Sequence, residues 1–155
     1  MIFPILCAED VAGQPVILPG DLAGERSVVL IAFLQHQQAA VESWLPLLEL
    51  LTYRLGDFHY YVIPTVQRLV GWQGEFADMG VRLRRSGQAS EHLLTLYVDL
   101  NDFNRALDIP TVSQIYPLLI DRAGHVLWRA EGGFTPEKAE RLIASLEESP
   151  ALALP

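Results

Sequence analysis

The segment "SVVLIAFLQHQQAAVESWLP", from Ser27 to Pro46, constrains the fold more than any other part of the sequence. It opens with a near-continuous run of β-branched and aromatic side chains, which is typical of a strand covered on both faces in a parallel sheet. Apolar residues then recur at helical spacing, so we predict one helix from about Gln37 to Leu55 with a kink at Pro46. A buried strand followed at once by an amphipathic helix indicates an α/β protein.

Strands and helices alternate along the rest of the chain, with turn residues between them. The further predicted strands are Val16–Leu18, "DFHYYVIP" closed by Pro64, "HLLTLYVD", "IYPLLID" and "HVLWRAEG". The further predicted helices are a weak one in "VQRLVGWQGEFADMG", a short one in "NDFNRAL" capped by Asn101 or Asp102, and a closing one in "TPEKAERLIASLEE". In the closing helix we expect Thr135 as the N-cap. The side of this helix that we predict to be buried comprises Leu142, Ile143 and Leu146.

This order of elements predicts a three-layer α/β/α sandwich with a mixed central sheet, for which the thioredoxin-like fold is the leading candidate. We expect one domain over residues 1–148. The tail 149–155 is expected to be loose because its two prolines oppose continued helix.

The composition narrows the class of partner and the compartment. The chain carries 19 acidic and 11 basic side chains, and its formal net charge of −8 opposes binding to a polyanion such as DNA. Cys7 is the single cysteine, so no internal disulfide forms. The apolar run at the N-terminus is too short for a signal peptide or a spanning helix. We therefore expect a soluble cytoplasmic protein that binds no nucleic acid.

Two segments resemble thioredoxin-like and peroxiredoxin-like proteins. "LPGDLAGERSVVLIAF" is similar to the glycine-bounded loop that leads into the central strand of that superfamily. "LDIPTVSQIYPLLIDRAGHVLWRAEG" resembles its substrate-facing loop, hairpin and glycine. The resemblance places Pro117 where the superfamily keeps a cis-proline, so it implies a cis bond between Tyr116 and Pro117.

A longer resemblance is to the mitochondrial ATPase-assembly factor family and its bacterial relatives. It is carried by Leu18 to Gly24, by Ser43 with Trp44, and by "YYVIP", "DMGVR", "LTLYVDLNDFNRAL" and "IYPLLIDRAGHVLWRAEGGFT". That family has a thioredoxin-like fold and, in mitochondria, is linked to maturation of the membrane-embedded sector of ATP synthase. The resemblance implies an assembly factor that associates with a membrane complex from its periphery.

The redox cysteines of the superfamily are missing. A dithiol enzyme needs a thiolate at the N-terminus of this helix and a second thiol one turn on, and here Gln38 and Val41 occupy those positions. We therefore predict a non-catalytic protein without a cofactor that binds a protein or an extended peptide by strand-like hydrogen bonding. The expected binding surface is where His36 and Gln38 meet Tyr116 and Pro117.

Two further features, the single cysteine and an arginine cluster, leave alternatives open. Cys7 is either a small inert hydrophobe or the reactive thiol of an oxidoreductase or peroxidase, which would need exposure and a depressed pKa. Arg82, Arg84 and Arg85 are either solvated loop charge or a docking patch for an acidic partner or a phosphate. The four histidines are scattered, so we expect no metal site. Trp44 and Trp128 are predicted to lie in the core.

Overall fold

The structure is a computed structural model that describes residues 1–68 and 90–148. In chain order its strands are β1 (Leu6–Glu9), β2 (Pro15–Leu18), β3 (Arg26–Ala32), β4 (Phe58–Gln67), β5 (Thr95–Val98), β6 (Tyr116–Asp121) and β7 (Val126–Arg129). Its α-helices are α1 (Gln38–Arg54), α2 (Leu100–Ala106) and α3 (Pro136–Glu148), with short 3₁₀ helices at Gln35–Gln37 and Ser90–His92. Among these described helices, none is both long and apolar enough to cross a membrane.

The strands form one mixed sheet in the order β2-β1-β5-β4-β3-β6-β7. Strands β3, β4 and β5 run parallel to one another, whereas β6, β7, β1 and β2 are joined to them by antiparallel pairing. Every residue of β3 is buried, which is what the continuous apolar run requires of a central strand. The predicted α/β class with a mixed sheet is therefore confirmed.

Two apolar clusters pack on opposite faces of the sheet. On one face α1 and α3 cover the sheet through side chains that include Trp44, Leu48 and Leu142. On the other face Phe103 of α2 packs with Phe3, and their rings meet edge to face at 6.2 Å between centroids. Burying one large apolar side chain contributes about 1.5–3 kcal/mol, so both clusters stabilise the three-layer arrangement.

A buried arginine joins the start of β3 to the last turn of α3. Arg26, at the start of β3, is 3% exposed and pairs through Nε with the Asp57 carboxylate at 3.4 Å. Its guanidinium also donates to the carbonyl of Leu146 in the last turn of α3, at 2.6 Å. A cation at the C-terminal end of a helix satisfies carbonyls that have no partner within the helix. The sequence pattern gave no sign of this contact, because Arg26 precedes the apolar run.

Three sequence predictions about these elements are wrong, and one strand was not predicted. Strand β4 does not end at Pro64 but continues to Gln67, because Pro64 is the last residue paired with β3 and the next residue, Thr65, begins the pairing with β5. Proline lacks an N–H, and this changeover between partners tolerates it. Helix α2 is capped by Asp99, whose carboxylate accepts from the backbone N–H of Asp102 at 3.0 Å. Ile143 is 38% exposed, and β1 was not predicted.

The expected cis-proline is also wrong. The described residues contain a cis peptide bond at Leu18–Pro19 and not at Tyr116–Pro117. Strand β6 already begins at Tyr116, which pairs with Ile31, and Pro117 continues the same register opposite Leu30. The bond between Tyr116 and Pro117 lies within this continuous strand and is trans.

Several predicted features lie outside the described residues. These are the basic cluster Arg82, Arg84 and Arg85, Trp72, most of the weak helix in "VQRLVGWQGEFADMG", and the tail 149–155. Inside the described part, Thr135 caps α3 as predicted, since its Oγ1 accepts from the Lys138 N–H at 3.3 Å. Helix α1 runs unbroken through Pro46.

Gly24 provides a test of how closely the loop before β3 packs against β4. A Cβ at Gly24 would lie 2.6 Å from the carbonyl oxygen of Asp57 and 2.8 Å from that of Arg26. We expect Gly24→Ala to lower the free energy of unfolding by about 1–3 kcal/mol, because backbone atoms must move. Gly20→Ala is the matched control, since a Cβ there meets no described atom within 4 Å. Urea denaturation that gives both variants the same midpoint would contradict this account.

Candidate functional site

Three chain segments meet beyond the carboxyl end of β3. They are residues 34–43, which leave β3 and begin α1, residues 111–115, which enter β6, and residues 131–134, which link β7 to α3. We call their joint exposed face the three-segment surface. Ligands of α/β sheets bind in this position, outside the carboxyl ends of the parallel strands.

Gln37 ties the first segment to the second. Its side-chain oxygen accepts from the backbone N–H of Phe33 at 2.8 Å and of Leu34 at 3.0 Å. Its side-chain nitrogen donates to the carbonyl of Val112 at 2.8 Å. Gln37 is only 3% exposed, so these bonds are shielded from water and each would be costly to break.

Trp44 and Ser43 tie the first segment to the third. The indole N–H of Trp44 donates to the carbonyl of Gly132 at 3.0 Å, and the Ser43 hydroxyl accepts from the N–H of Phe134 at 2.9 Å. The Phe134 ring lies edge-on to Trp44, with 5.4 Å between ring centroids. Trp44 is fully buried and contacts Trp128, so both tryptophans lie in the core as predicted.

The third segment is tied to the second through a glycine. The N–H of Gly132 donates to the carbonyl of Ile115 at 2.8 Å. Gly132 has φ of +79°, a conformation that other residues adopt at a cost, and a Cβ there would lie 2.9 Å from the Gln114 side-chain oxygen. All three pairs of segments are therefore linked by hydrogen bonds.

His36 and Gln38 lie on the three-segment surface. His36 is exposed, and Gln38 is half-buried with its side-chain nitrogen donating to the Glu42 carboxylate at 3.0 Å. The side-chain oxygen of Gln38 is buried and makes no hydrogen bond within the described residues. Whether either residue binds a partner stays a prediction.

Tyr116 and Pro117 do not line the surface, which corrects the expectation for these two residues. The side chains of both are buried, so neither can contact a partner. The backbone around them is also occupied: the Pro117 carbonyl accepts from the Ala130 N–H at 2.9 Å, while β3 pairs along the other edge. An extended partner cannot add to β6 at this position, because both of its edges already have neighbours.

Tyr116 instead supports the second segment from the core side, through a hydrogen bond to Thr111. Its hydroxyl donates to the Thr111 carbonyl at 2.9 Å, and the Arg129 guanidinium lies 5.8 Å from its ring centroid. Burial raises the pKa of Tyr116, and the negative charge of Glu131 raises it further. The phenol therefore stays neutral and keeps donating to Thr111 throughout the physiological pH range.

The surface has no thiol. Val41 is 1% exposed and belongs to the core, and an amide such as Gln38 is not a nucleophile. Cys7 is exposed on β1, which β5 and β4 separate from β3, so it lies away from the three-segment surface. Its exposure shows that Cys7 is not a buried hydrophobe of the core.

The histidines also lie apart from one another. His92 stacks on Tyr60 with 4.0 Å between ring centroids, and the Nδ1 atom of His125 lies 2.9 Å from the Asp121 carboxylate. Within residues 1–68 and 90–148, no group of three His, Cys, Asp or Glu side chains could hold a metal ion.

Sequence reasoning missed Gln37, Ser43, Gly132 and Phe134 as the residues that join the segments. The "EGGFT" stretch was a usable signal for two of them, since a glycine pair directly after a strand often marks a close backbone approach. Gln37 gave no signal, because an isolated glutamine in a polar stretch has no pattern that indicates burial.

Comparison with known proteins identifies the fold and not the family. No family model matches the chain, and no curated protein matches it. The thioredoxin domain of a thiol-disulfide oxidoreductase from Bacteroides vulgatus gives a TM-score of 0.59 at 13% identity, covering 94% of this chain and 95% of that chain. A thiol-disulfide oxidoreductase from Bacteroides fragilis gives 0.63 at 10% identity, covering 94% and 99%.

A third solved structure, the exposed lipoprotein thioredoxin of Streptococcus pneumoniae, gives a TM-score of 0.56 at 17% identity, covering 93% of this chain and 99% of that chain. The predicted thioredoxin-like fold is thereby confirmed. At these identities the similarity shows a shared fold, and the activity in the names belongs to those proteins.

Tyr116→Phe tests the support beneath the second segment. We expect the free energy of unfolding to fall by about 1 kcal/mol at neutral pH, because the hydrogen bond to Thr111 is lost. The raised pKa means that the neutral phenol contributes stability below its ordinary pKa of about 10, and this contribution is lost as the pH rises further. Unfolding curves from pH 7 to 11 should thus be less pH-dependent in Tyr116→Phe. The control, Tyr53→Phe, changes a ring that is 89% exposed and should match wild type.

Proposed function

We propose that this chain is a non-catalytic thioredoxin-fold protein that holds an extended segment of a partner protein on the three-segment surface and so acts as an assembly factor. The observation that carries the proposal is the hydrogen-bonded connection of all three segments at a place where the thiol positions are held by Gln38 and the buried Val41. A rigid surface without a nucleophile supports binding and not reaction.

The exposed groups indicate what kind of segment would bind. Phe134 is 39% exposed and gives the surface a partly buried aromatic anchor, the type of residue that carries most energy at protein interfaces. Glu42 and Glu131 are exposed at the first and third segments, in a chain whose formal net charge is −8. A partner segment with an apolar side chain and a nearby basic residue complements this arrangement.

The sequence resemblance to the ATPase-assembly factor family supports an assembly role and supplies the first partner to test. That partner is the membrane-embedded sector of ATP synthase, approached from the periphery of the membrane complex. The names of the structural neighbours describe thiol-disulfide chemistry, which needs cysteines that this chain lacks at the corresponding positions.

A second candidate is a thiol-dependent oxidoreductase or peroxidase that acts through Cys7. The observation in its favour is that Cys7 is exposed, so reagents can reach the thiol. Cys7 lies on β1, outside the three-segment surface and away from the N-terminus of α1, where the superfamily holds its thiolate.

Pull-down from the native host tests the binding proposal. We expect the tagged wild-type protein to capture ATP synthase membrane-sector subunits, and Phe134→Ala to reduce the captured amount roughly tenfold or more, since truncating an aromatic anchor costs over about 1.4 kcal/mol. Tyr53→Ala is the matched control, because it removes an exposed aromatic from the opposite end of α1. Absence of these subunits from the wild-type eluate, or equal capture by both variants, would count against the proposal.

Cys7→Ser separates the two candidates. We expect it to leave capture unchanged and to leave peroxide consumption at the level of the buffer, as in wild type, because the thiol lies outside the binding surface. The measurement is peroxide loss with a dithiol reductant present. Consumption by wild type that disappears in Cys7→Ser would favour the enzymatic candidate.

A further inference from the structure

Gln37 is buried beside the three-segment surface, and its side chain makes three hydrogen bonds, all to backbone groups. Phe33 and Leu34 follow the last residue of β3, where the ladder has ended, so their N–H groups need another acceptor. The Gln37 oxygen accepts from both, at 2.8 and 3.0 Å. Without it, two shielded donors would be left unpaired.

The other half of the same amide reaches the second segment. The Gln37 nitrogen donates to the Val112 carbonyl at 2.8 Å. Because acceptor and donor sit on one planar carbon, the amide fixes the distance between the end of β3 and the loop that enters β6. Neither an acid nor an apolar side chain of the same size can make both bonds at neutral pH.

Gln37 cannot touch a partner itself, since it is 3% exposed. Its neighbours on either side, His36 and Gln38, lie on the surface, and so do Thr111 and Ser113 on either side of its acceptor Val112. The three hydrogen bonds of Gln37 thus form a bridge between the first and second segments. Any change in this bridge would alter the spacing between exposed groups of the two segments.

We propose that Gln37 is a positioning residue of the partner-binding surface, which holds the first and second segments at the separation that an extended partner needs. This inference rests on the proposed function. Gln37 acts through Leu34 and Val112, and binding becomes weaker when the bridge is broken because the partner must then order the loops itself.

Two substitutions break the bridge in different ways. Gln37→Met has a similar length and loses all three bonds. Gln37→Glu keeps an acceptor for Phe33 and Leu34 but turns a carboxylate oxygen toward the Val112 carbonyl, where two acceptors repel each other. Thr65→Val is the matched control, because Thr65 is 1% exposed, its hydroxyl donates to Ile63, and it lies within β4. The control loses a buried hydrogen bond without touching the surface.

Hydrogen exchange of the full chain, measured without a partner, tests the bridge by itself. We expect residues 111–115 to exchange roughly tenfold faster in Gln37→Met and Gln37→Glu than in wild type, as the loss of about 1.4 kcal/mol of local protection implies. Thr65→Val should leave this segment at the wild-type rate. Unchanged exchange in both Gln37 variants would overturn the inference whatever the partner is.

Capture of ATP synthase membrane-sector subunits by the same proteins tests the effect on binding. Both Gln37 variants should capture roughly tenfold less than wild type, and Thr65→Val should capture as much as wild type. Faster exchange with undiminished capture would show that the bridge is structural only and would overturn the positioning role. If wild type captures none of the subunits, the proposed function fails and the positioning role falls with it, while the exchange measurement still decides whether the bridge exists.

Discussion

Burial of β3 on both faces is the constraint on which the rest of the structure depends. A strand with no exposed residue must have helices on both sides of its sheet and paired strands along both edges. β4 and β6 supply the edges, and α1 with α3 cover one face while α2 covers part of the other. Because α1 leaves directly from the end of β3, its first turn is fixed beside the loops that follow the neighbouring strands.

That placement explains how the three-segment surface is held in order although Gln38 and Val41 stand at the thiol positions. Buried backbone groups at the end of β3 must be satisfied whether or not the site reacts, and Gln37 satisfies them while it reaches Val112. Trp44, in the second turn of α1, likewise donates to the carbonyl of Gly132. The loops are therefore held by the requirements of folding, and a surface that is already ordered binds at a smaller entropic cost.

Most of the fold could be predicted from the sequence because its signals are periodic. The continuous run in β3, the helical spacing of α1 and the Thr135 cap each depend on local patterns of several residues. Strand β1 was missed because its sequence, LCAE, has no β-branched or aromatic residue, whereas the equally short β2 contains Val16 and Ile17. The end of β4 was placed wrongly at Pro64. Whether a proline ends a strand depends on whether a neighbouring strand needs its N–H at that position, and the sequence does not show which strands are neighbours.

The candidate site was only partly predictable, for a different reason. The position of the surface followed from the strand and helix order, and His36 and Gln38 lie on it, while their part in binding stays a prediction. The residues that hold the surface together could not be predicted in this way. Gln37 and Trp44 donate to backbone carbonyls 75 and 88 positions away, and the side-chain identity at those positions carries no information about the contact. Tyr116 was assigned to the surface from the resemblance, although its side chain packs into the apolar cluster on one face of the sheet and is fully buried.

The presence of Gln38 and Val41 at the two thiol positions changes the kind of binding that this surface can support. A thiolate captures its partner through a covalent bond whose lifetime is set by a second thiol. Gln38 and Val41 permit no such bond, so in the proposed function affinity comes from Phe134, the acidic side chains of the neighbouring segments and the fixed spacing of the loops. Dissociation in that proposal is governed by non-covalent contacts alone and needs no electron donor.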